Sequence, residues 1–114
     1  MKIEVFYIEG CPNNQPTVER VEAMLKDLGV AGEVVKSPIH DPAMASALRF
    51  LGSPTVHLNG VDLEPSARSS NEFGFMCRTY LDGPRREGIP SRTLIREVLL
   101  EACKLRHDGM IESR

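Results

Sequence analysis

The chain has 114 residues, with 16 acidic and 14 basic side chains and a formal net charge of −2. This length suits one domain with a core that needs no disulfide staples, so we expect residues 1–114 to form a single domain. With no basic excess, and no apolar run near the ~20 residues of a membrane span, neither nucleic acid nor a membrane is an expected partner.

Signals for targeting and for metal binding are also missing from the sequence. The Met-Lys-Ile-Glu start lacks the apolar segment of a signal peptide, which predicts a cytoplasmic protein. Three cysteines are spread over the chain without a Cys-x-x-Cys pair, so a zinc knuckle is not supported and no metal or other cofactor is expected. In a reducing compartment such thiols are reduced or only transiently oxidised.

The first predicted elements are a buried strand and an amphipathic helix. The nearly continuous apolar run of residues 3–8 is typical of a strand covered on both faces. From Pro16 onward, apolar side chains recur every three or four residues, and Gly29 is placed to end this helix. The loop between the two, GCPNNQP at positions 10–16, puts Cys11 at or beside the helix N-cap.

Cys11 is the first candidate for chemistry. Unpaired amides and the positive end of the helix dipole favour a negative charge at this position, and they therefore favour the thiolate. The alternative is a small capping residue with an ordinary thiol. The strand, loop and helix context favours a reactive cysteine, because functional groups are commonly carried by loops on rigid elements.

Two further elements follow this helix. Residues 32–36 predict a short strand, parallel to the first, and the right-handed crossover rule then fixes the first helix on one face of the sheet. Asp41 and Pro42 predict the start of a second helix, which is expected to run to about Leu51 with Gly52 as its stop signal.

Residues 53–64 predict a β-hairpin. The pair Asn59-Gly60 supplies the positive φ angles that a two-residue turn requires. His57 alternates with apolar neighbours, which favours a solvent-facing strand position over a catalytic role.

Residues 65–90 lose the apolar periodicity, apart from a cluster at positions 73–80 that includes Cys77. This predicts an extended loop with one anchored segment, and such a length is uncommon inside a compact domain unless the loop serves a function. Ser91 can cap a last helix. The apolar stripe of that helix is Leu94, Ile95, Val98, Leu99, Ala102 and Leu105. Cys103 is spaced onto this apolar face, which predicts a buried and inert thiol.

The order strand, helix, strand, helix, strand, strand, helix resembles the thioredoxin fold. The fold class implied is α/β, with a mixed four-stranded sheet and here a long loop before the last helix. In that family the reactive cysteine follows the first strand at a helix N-terminus, where this sequence has Cys11. A cis-proline begins the third strand and faces the cysteine, and Ser53-Pro54-Thr55 occupies that place. The resemblance implies a cis Ser53–Pro54 bond and a substrate chain that pairs with the backbone beside Pro54.

The sequence departs from the family pattern at several positions. Asn14 stands where dithiol members carry their second cysteine, so a local resolving thiol is missing. The glycine pair and acidic residue that hold glutathione in glutaredoxins are not found after Gly60. The segment FMCRTY at positions 75–80 is additional to the minimal fold. Together with GSPT at positions 52–55 it resembles a group of small thioredoxin-like proteins, some of which are labelled alkylmercury lyases.

The leading hypothesis is a thiol-disulfide oxidoreductase that acts on a disulfide-containing protein or a low-molecular-weight thiol. Cys11 would be the nucleophile, and either Cys77 or an external thiol would resolve the mixed disulfide. The charge of the neighbouring Arg78 would favour a Cys77 thiolate. The residues expected to bind the substrate are Asn14, Ser53, Pro54, Thr55 and Arg78.

Two hypotheses from other functional classes stay open beside this one. The first is a soft-metal thiol protein that binds or cleaves mercurials, because soft metals favour sulfur ligands and two thiolates could grip the metal. The second is a thioredoxin fold used as a binding module without chemistry.

Overall fold

A computed structural model describes the backbone of residues 1–112 and the side chains of residues 1–104. Leu105 of the predicted apolar stripe therefore lies outside the described side chains. None of the helices described has the length and apolarity that a membrane crossing requires. The elements are β1 Lys2–Tyr7, α1 Asn14–Leu28, β2 Glu33–Pro38, α2 Pro42–Ala47, β3 Thr55–Leu58, β4 Val61–Asp62, β5 Tyr80–Asp82, β6 Arg85–Glu87 and α3 Arg92–Glu112.

The main sheet has four strands in the order β2-β1-β3-β4. β2 runs parallel to β1, whereas β3 is antiparallel both to β1 and to β4. β3 therefore runs against the other three strands. This mixed sheet confirms the predicted fold class, a thioredoxin-like α/β fold.

One face of the sheet is covered by α1 and α3. Alternate residues of the central strands, Ile3 and Val5 on β1 and Val56 and Leu58 on β3, point to this face because side chains alternate along a strand. The helices contribute their apolar stripes to the same core: Val18, Val21, Met24 and Leu25 from α1, and Ile95, Val98 and Leu99 from α3. Burial of each such side chain is worth roughly 1.5–3 kcal/mol, which makes this core the main source of stability.

The opposite face carries a smaller apolar cluster. Its buried members are Phe6, Ile39, Ala45 and Phe50, which come from β1, from α2 and from the segments that flank α2. The connection between β4 and α3 covers the rest of this face, as the contacts at the candidate site show below.

Several predicted caps and turns are confirmed. α1 ends at Gly29, whose φ is 65°. The Leu94 N–H donates to the Ser91 Oγ at 3.0 Å at the start of α3. The hairpin turn of β3 and β4 has positive φ at both central residues, 51° at Asn59 and 86° at Gly60.

The end of α2 differs from its prediction. The helix stops at Ala47, and Arg49 takes a left-handed conformation with φ 56°. The Phe50 N–H then donates to the Ala45 carbonyl at 2.8 Å, and this turn brings Phe50 into the second core, where its side chain is fully buried. Gly52 is therefore not the helix stop that the sequence suggested.

Residues 65–90 are more structured than the predicted loop. They contain a single 3-10 turn at Pro65–Ala67 and a two-stranded ribbon of β5 and β6, in which Asp82 pairs with Arg85. Gly83 has a φ of 61°. A glycine at the first central position is the signal of a type II′ hairpin turn, and this signal was present in the sequence. It was missed because three-residue strands carry too little alternation to be recognised.

Candidate functional site

Cys11 lies in the turn between β1 and α1, and its side chain is half-buried. Its N–H donates to the Ile8 carbonyl at 3.0 Å, which closes the turn. The N-cap of α1 is Asn13, so Cys11 precedes the N-cap by two residues instead of lying at it. In α1, all of which the structure describes, the first turn has no acidic side chain and Asn13 makes no side-chain capping bond. The first amides of α1 therefore receive no hydrogen bond acceptor from a carboxylate of that turn or from the N-cap side chain. Cys11 lies just before this N-terminal end of the helix.

Asn14 is the first residue of α1 and is half-buried. It shares the N-terminal turn with Cys11, and the Asn14 N–H donates to the Cys11 carbonyl at 3.5 Å. Its predicted role in substrate binding stays a prediction.

Ser53 connects β3 to the Cys11 turn. The Ser53–Pro54 peptide bond is cis, in agreement with the expectation from the sequence. The Ser53 side chain is buried, and its Oγ accepts a hydrogen bond from the Ile8 N–H at 3.0 Å. Ile8 thus contacts Ser53 through its N–H and Cys11 through its carbonyl.

The Cys77 segment, residues 76–78, lies against Ser53 on its other side. The Ser53 N–H donates to the Met76 carbonyl at 2.8 Å, and the Arg78 N–H donates to the Ser53 carbonyl at 3.0 Å. Ser53 and Cys77 thereby form an isolated parallel bridge. The resemblance implied that the backbone beside Pro54 pairs with a substrate chain, and the protein's own Cys77 segment uses both main-chain groups of Ser53 there.

Gly52 permits this close approach. Its φ is +117°, a conformation that side chains other than glycine rarely adopt. A Cβ at this position would lie 2.8 Å from the Arg78 Cβ and 3.0 Å from the Cys77 carbonyl oxygen. The conformation and the packing both require glycine here.

Arg78 ties the Cys77 segment to β4. Its guanidinium bonds both Asp62 carboxylate oxygens, at 2.7 and 2.8 Å, and approaches Glu64 at 3.4 Å. It also lies over the Tyr80 ring, 4.3 Å from the centroid. Burial opposes the charge of Arg78, but the hydrogen bonds to Asp62 and the neighbouring negative groups outweigh it, so the pKa of Arg78 is raised.

Tyr80 is a second anchor of the same segment. Its hydroxyl donates to the Pro54 carbonyl at 2.6 Å, and its side chain is fully buried. Burial also raises the pKa of the Tyr80 hydroxyl. Arg78 and Tyr80 point inward, whereas Cys77 between Met76 and Arg78 is exposed. This follows the alternation of an extended chain.

Two predicted substrate-binding residues need correction. Arg78 is buried and paired with Asp62, so its guanidinium is not available to a substrate. The Thr55 side chain is fully buried, and its hydroxyl donates to the Gly52 carbonyl. The interior of the protein uses both side chains. The sequence reasoning missed this because it did not connect Arg78 with Asp62.

Cys103 and His57 also differ from their predictions. Cys103 is half-buried, not fully buried. His57 is buried against the Phe6 ring, 5.1 Å between centroids, and it lines a cavity of about 170 Å³ together with Arg49 and Phe73. It is not solvent-facing because the connection after β4 covers this face of the sheet. Burial lowers the pKa of His57, since the charged imidazole is poorly solvated there.

All three cysteines belong to the described part of the chain, and all are free thiols. Among the residues whose side chains the structure describes, no group of three histidine, cysteine or acidic side chains could hold a metal ion. Each of the two segments that Ser53 joins, the Cys11 turn and the Cys77 segment, therefore carries a free thiol.

No protein-family model matches this chain, and no curated protein matches it. Among solved structures, it is similar to thioredoxin 1 from the thermophilic eubacterium Thermosipho africanus TCF52B. The two chains are 16% identical, and the match covers 94% of this chain and 99% of that chain with a TM-score of 0.49. The order and the directions of its own four strands, with the helices placed between them, give this chain a thioredoxin-like fold.

Proposed function

We propose that this protein is a thiol-disulfide oxidoreductase in which Cys11 is the nucleophile and Cys77 is the resolving thiol. The observation that supports this proposal best is the pairing of the Cys77 segment with Ser53. Paired strands lie about 4.8 Å apart, so Cys77 is one strand spacing from Ser53. Ser53 in turn bonds Ile8, which closes the Cys11 turn. A single buried serine therefore holds the segments that carry the two thiols.

The surroundings of Cys11 suit a nucleophile. The thiolate is the reactive form of cysteine, and an uncapped helix N-terminus stabilises a negative charge. The Asn13 side chain does not cap α1, and no acidic side chain lies in its first turn to repel a thiolate. Cys11 is also partly exposed, which gives a disulfide access to its sulfur.

The reaction balances with the residues present. The Cys11 thiolate attacks one sulfur of a disulfide RSSR, forms the mixed disulfide Cys11–S–S–R and releases RS⁻. The Cys77 thiolate then attacks the Cys11 sulfur, forms a Cys11–Cys77 disulfide and releases the second RS⁻. The substrate gains two electrons, and the protein dithiol loses two. An external thiol compound returns the protein to its reduced form by the reverse exchange.

Cys77 is a better resolving thiol than Cys103. Cys77 is exposed and belongs to a segment bonded to Ser53, beside the Cys11 turn. Cys103 is half-buried on α3, one residue after Ala102, which packs against the first core. Ala102 also lines a cavity with Leu58 and Asn59, at the end of β3 away from Ser53.

The experiment that tests this function is the reaction of the reduced protein with one equivalent of an aromatic disulfide that releases a coloured thiolate. The wild type and the matched control Cys103→Ser should release two coloured thiolates per reagent molecule. Cys77→Ser should release one and keep the other as an adduct on Cys11, which mass spectrometry detects. Cys11→Ser should lose the fast reaction.

Two outcomes would contradict the proposal in different ways. If Cys11→Ser reacts as fast as the wild type, Cys11 is not the nucleophile. If peptide mapping after mild oxidation shows no Cys11–Cys77 linkage, Cys11 acts as a single thiol with an external resolving partner.

A further inference from the structure

Both main-chain groups of Ser53, which lies beside the Cys11 turn, are already occupied by the protein itself. We infer that Cys11 takes low-molecular-weight disulfides and not disulfides held in polypeptide chains, an inference that rests on the proposed function. An extended peptide is recognised next to a strand through free main-chain N–H and C=O groups. Near Cys11, the groups of this kind on Ser53 and Ile8 are already bonded within the protein.

Ser53 is the strand residue beside the Cys11 turn, and both its main-chain groups are bonded. Its N–H donates to the Met76 carbonyl, and its carbonyl accepts from the Arg78 N–H. A substrate chain would need these same two groups. The Cys77 segment therefore takes the place of an incoming peptide, with Cys77 as the residue paired with Ser53.

The end of β1 offers no better partner. The Tyr7 carbonyl accepts from the Ile39 N–H at 2.7 Å. The Ile8 N–H donates to the Ser53 Oγ, and the Ile8 carbonyl accepts from the Cys11 N–H. The Tyr7 carbonyl and both main-chain groups of Ile8 are thus bonded within the protein and are not free for an added strand.

The β2 edge of the sheet is also poorly suited to a peptide near Cys11. β2 is the outer strand beside β1, and its last residue, Pro38, pairs with Tyr7 at the end of β1 that leads to Cys11. Proline has no N–H and cannot donate to an added strand. This end of the edge therefore lacks one of the donors that strand addition requires.

A peptide could reach Ser53 only by displacing the Cys77 segment, which is firmly anchored. Arg78 is held by the buried ion pair with Asp62, and Tyr80 by the hydrogen bond to the Pro54 carbonyl. Separation of a buried ion pair leaves a charge without a partner and is strongly unfavourable. A small disulfide needs only the exposed faces of the Cys11 and Cys77 thiols and leaves these anchors intact.

The inference can be tested with two probes that differ only in peptide length. Both carry thionitrobenzoate in a disulfide: one with N-acetylcysteine methylamide, the other with the central cysteine of an uncharged, extended peptide with capped ends. The protein carries Cys77→Ser and Cys103→Ser, so that only Cys11 reacts. Attack by the Cys11 thiolate on either probe forms the mixed disulfide and releases coloured thionitrobenzoate.

The measured quantity is the ratio of the two second-order rate constants, peptide probe over small probe. We expect a ratio below about three, because no main-chain hydrogen bonds add to the peptide reaction. Addition of Gly52→Ala, which pushes on Arg78 and Cys77, should raise the ratio to about ten or more, since two main-chain groups become available. Gly83→Ala, which also replaces a glycine with positive φ but meets no atom within 4 Å, should leave the ratio unchanged.

Several results would overturn the inference. A ratio above about ten with Gly52 in place would show that a peptide finds main-chain partners despite the Cys77 segment. The inference would also fail if hydrogen exchange shows that Gly52→Ala frees the Arg78 N–H from the Ser53 carbonyl and the ratio of rate constants still does not change. If Gly52→Ala does not fold, the ratio in the Gly52 protein decides alone. Failure of the proposed function looks different, because both probes would then react with Cys11 no faster than with free N-acetylcysteine methylamide.

Discussion

The two faces of the sheet are covered by different kinds of interaction. On the first face, α1 and α3 bury a continuous set of aliphatic side chains, with Ile3 and Val5 of β1 at its centre. On the second face, a small apolar cluster around Phe6 and Phe50 is completed by polar contacts of the connection after β4. The central polar contact is the ion pair between Arg78 and Asp62, whose side chains are each 6% exposed.

Because of this difference, one face of the sheet supplies most of the stability of the fold and the other face positions the candidate site. Aliphatic packing is non-directional and tolerates exchange of one apolar side chain for another. A buried ion pair with hydrogen bonds has one geometry, and loss of one partner leaves a charge uncompensated. The first face therefore holds the fold together, whereas the second face fixes where the Cys77 segment lies relative to Ser53. Substitutions on the second face can test this division.

The largest effect is expected from Arg78→Met, which keeps an unbranched apolar stem and removes the charged guanidinium. Asp62 would stay buried without its partner, so the free energy of unfolding should fall by about 3–5 kcal/mol. Denaturation by urea measures this change. Arg86→Met is the matched control, because Arg86 is exposed and bonds Thr79. That change should cost less than about 1 kcal/mol.

A double variant shows whether the charge left on Asp62 causes the loss. Arg78→Met combined with Asp62→Leu removes both charges, and most of the lost stability should return, since buried ion pairs are commonly replaceable by apolar groups. If Arg78→Met costs no more than Arg86→Met, the ion pair does not hold the second face, and the contrast between the two faces is wrong.

A smaller loss is expected from Gly52→Ala. The positive φ and the 2.8 Å approach of a Cβ to the Arg78 Cβ both oppose the substitution. Together they should lower the free energy of unfolding by about 2–4 kcal/mol. Gly83→Ala also places a side chain at a positive φ, of 61°, but without the contact, and it should cost about 1–2 kcal/mol. Equal losses in the two variants would mean that the Cys77 segment does not press on Gly52.

Tyr80→Phe should have an intermediate effect. The variant keeps the buried ring under Arg78 and removes the hydroxyl that donates to the Pro54 carbonyl. A buried carbonyl without a donor costs about 1–3 kcal/mol. Tyr7→Phe removes a hydroxyl from a half-buried tyrosine at the end of β1 and should change stability by less than about 0.5 kcal/mol. A neutral Tyr80→Phe would show that the segment is held by Arg78 alone.

The sequence predicted the first face well and the second face poorly. The apolar residues in 18–28 and 94–102 recur with the periodicity of a helix face. Turn residues such as Gly29 and Asn59 were predictable because these residue types adopt positive φ angles. The ion pair between Arg78 and Asp62 has no such periodicity, because it joins residues far apart in the chain. For the same reason the sequence could name Cys11 and Cys77 but could not show that the Cys77 segment pairs with Ser53.

The smallest expected effect concerns pH and His57, which the second face buries. Desolvation by burial lowers the pKa of His57 below its ordinary value of 6.5, with Arg78 acting in the same direction and Asp62 and Glu4 opposing it. As the pH falls, the unfolded chain takes up this proton near 6.5, and the folded protein takes it up only at lower pH. The unfolded state therefore binds more protons in this window. The stability is fully present above 6.5 and decreases below it, by at most about 1.4 kcal/mol per pH unit.

Urea denaturation at about pH 7.5 and about pH 5.5, on either side of the free imidazole value, measures this decrease. His57→Gln removes the titrating group and should make the decrease smaller, whereas His40→Gln, at an exposed position, should leave it as in the wild type. An equal decrease in the wild type and in His57→Gln would assign the pH dependence to other groups. It would also mean that water reaches His57 despite its contact with Phe6. The connection after β4 would then cover the second face loosely, although Arg78 anchors it.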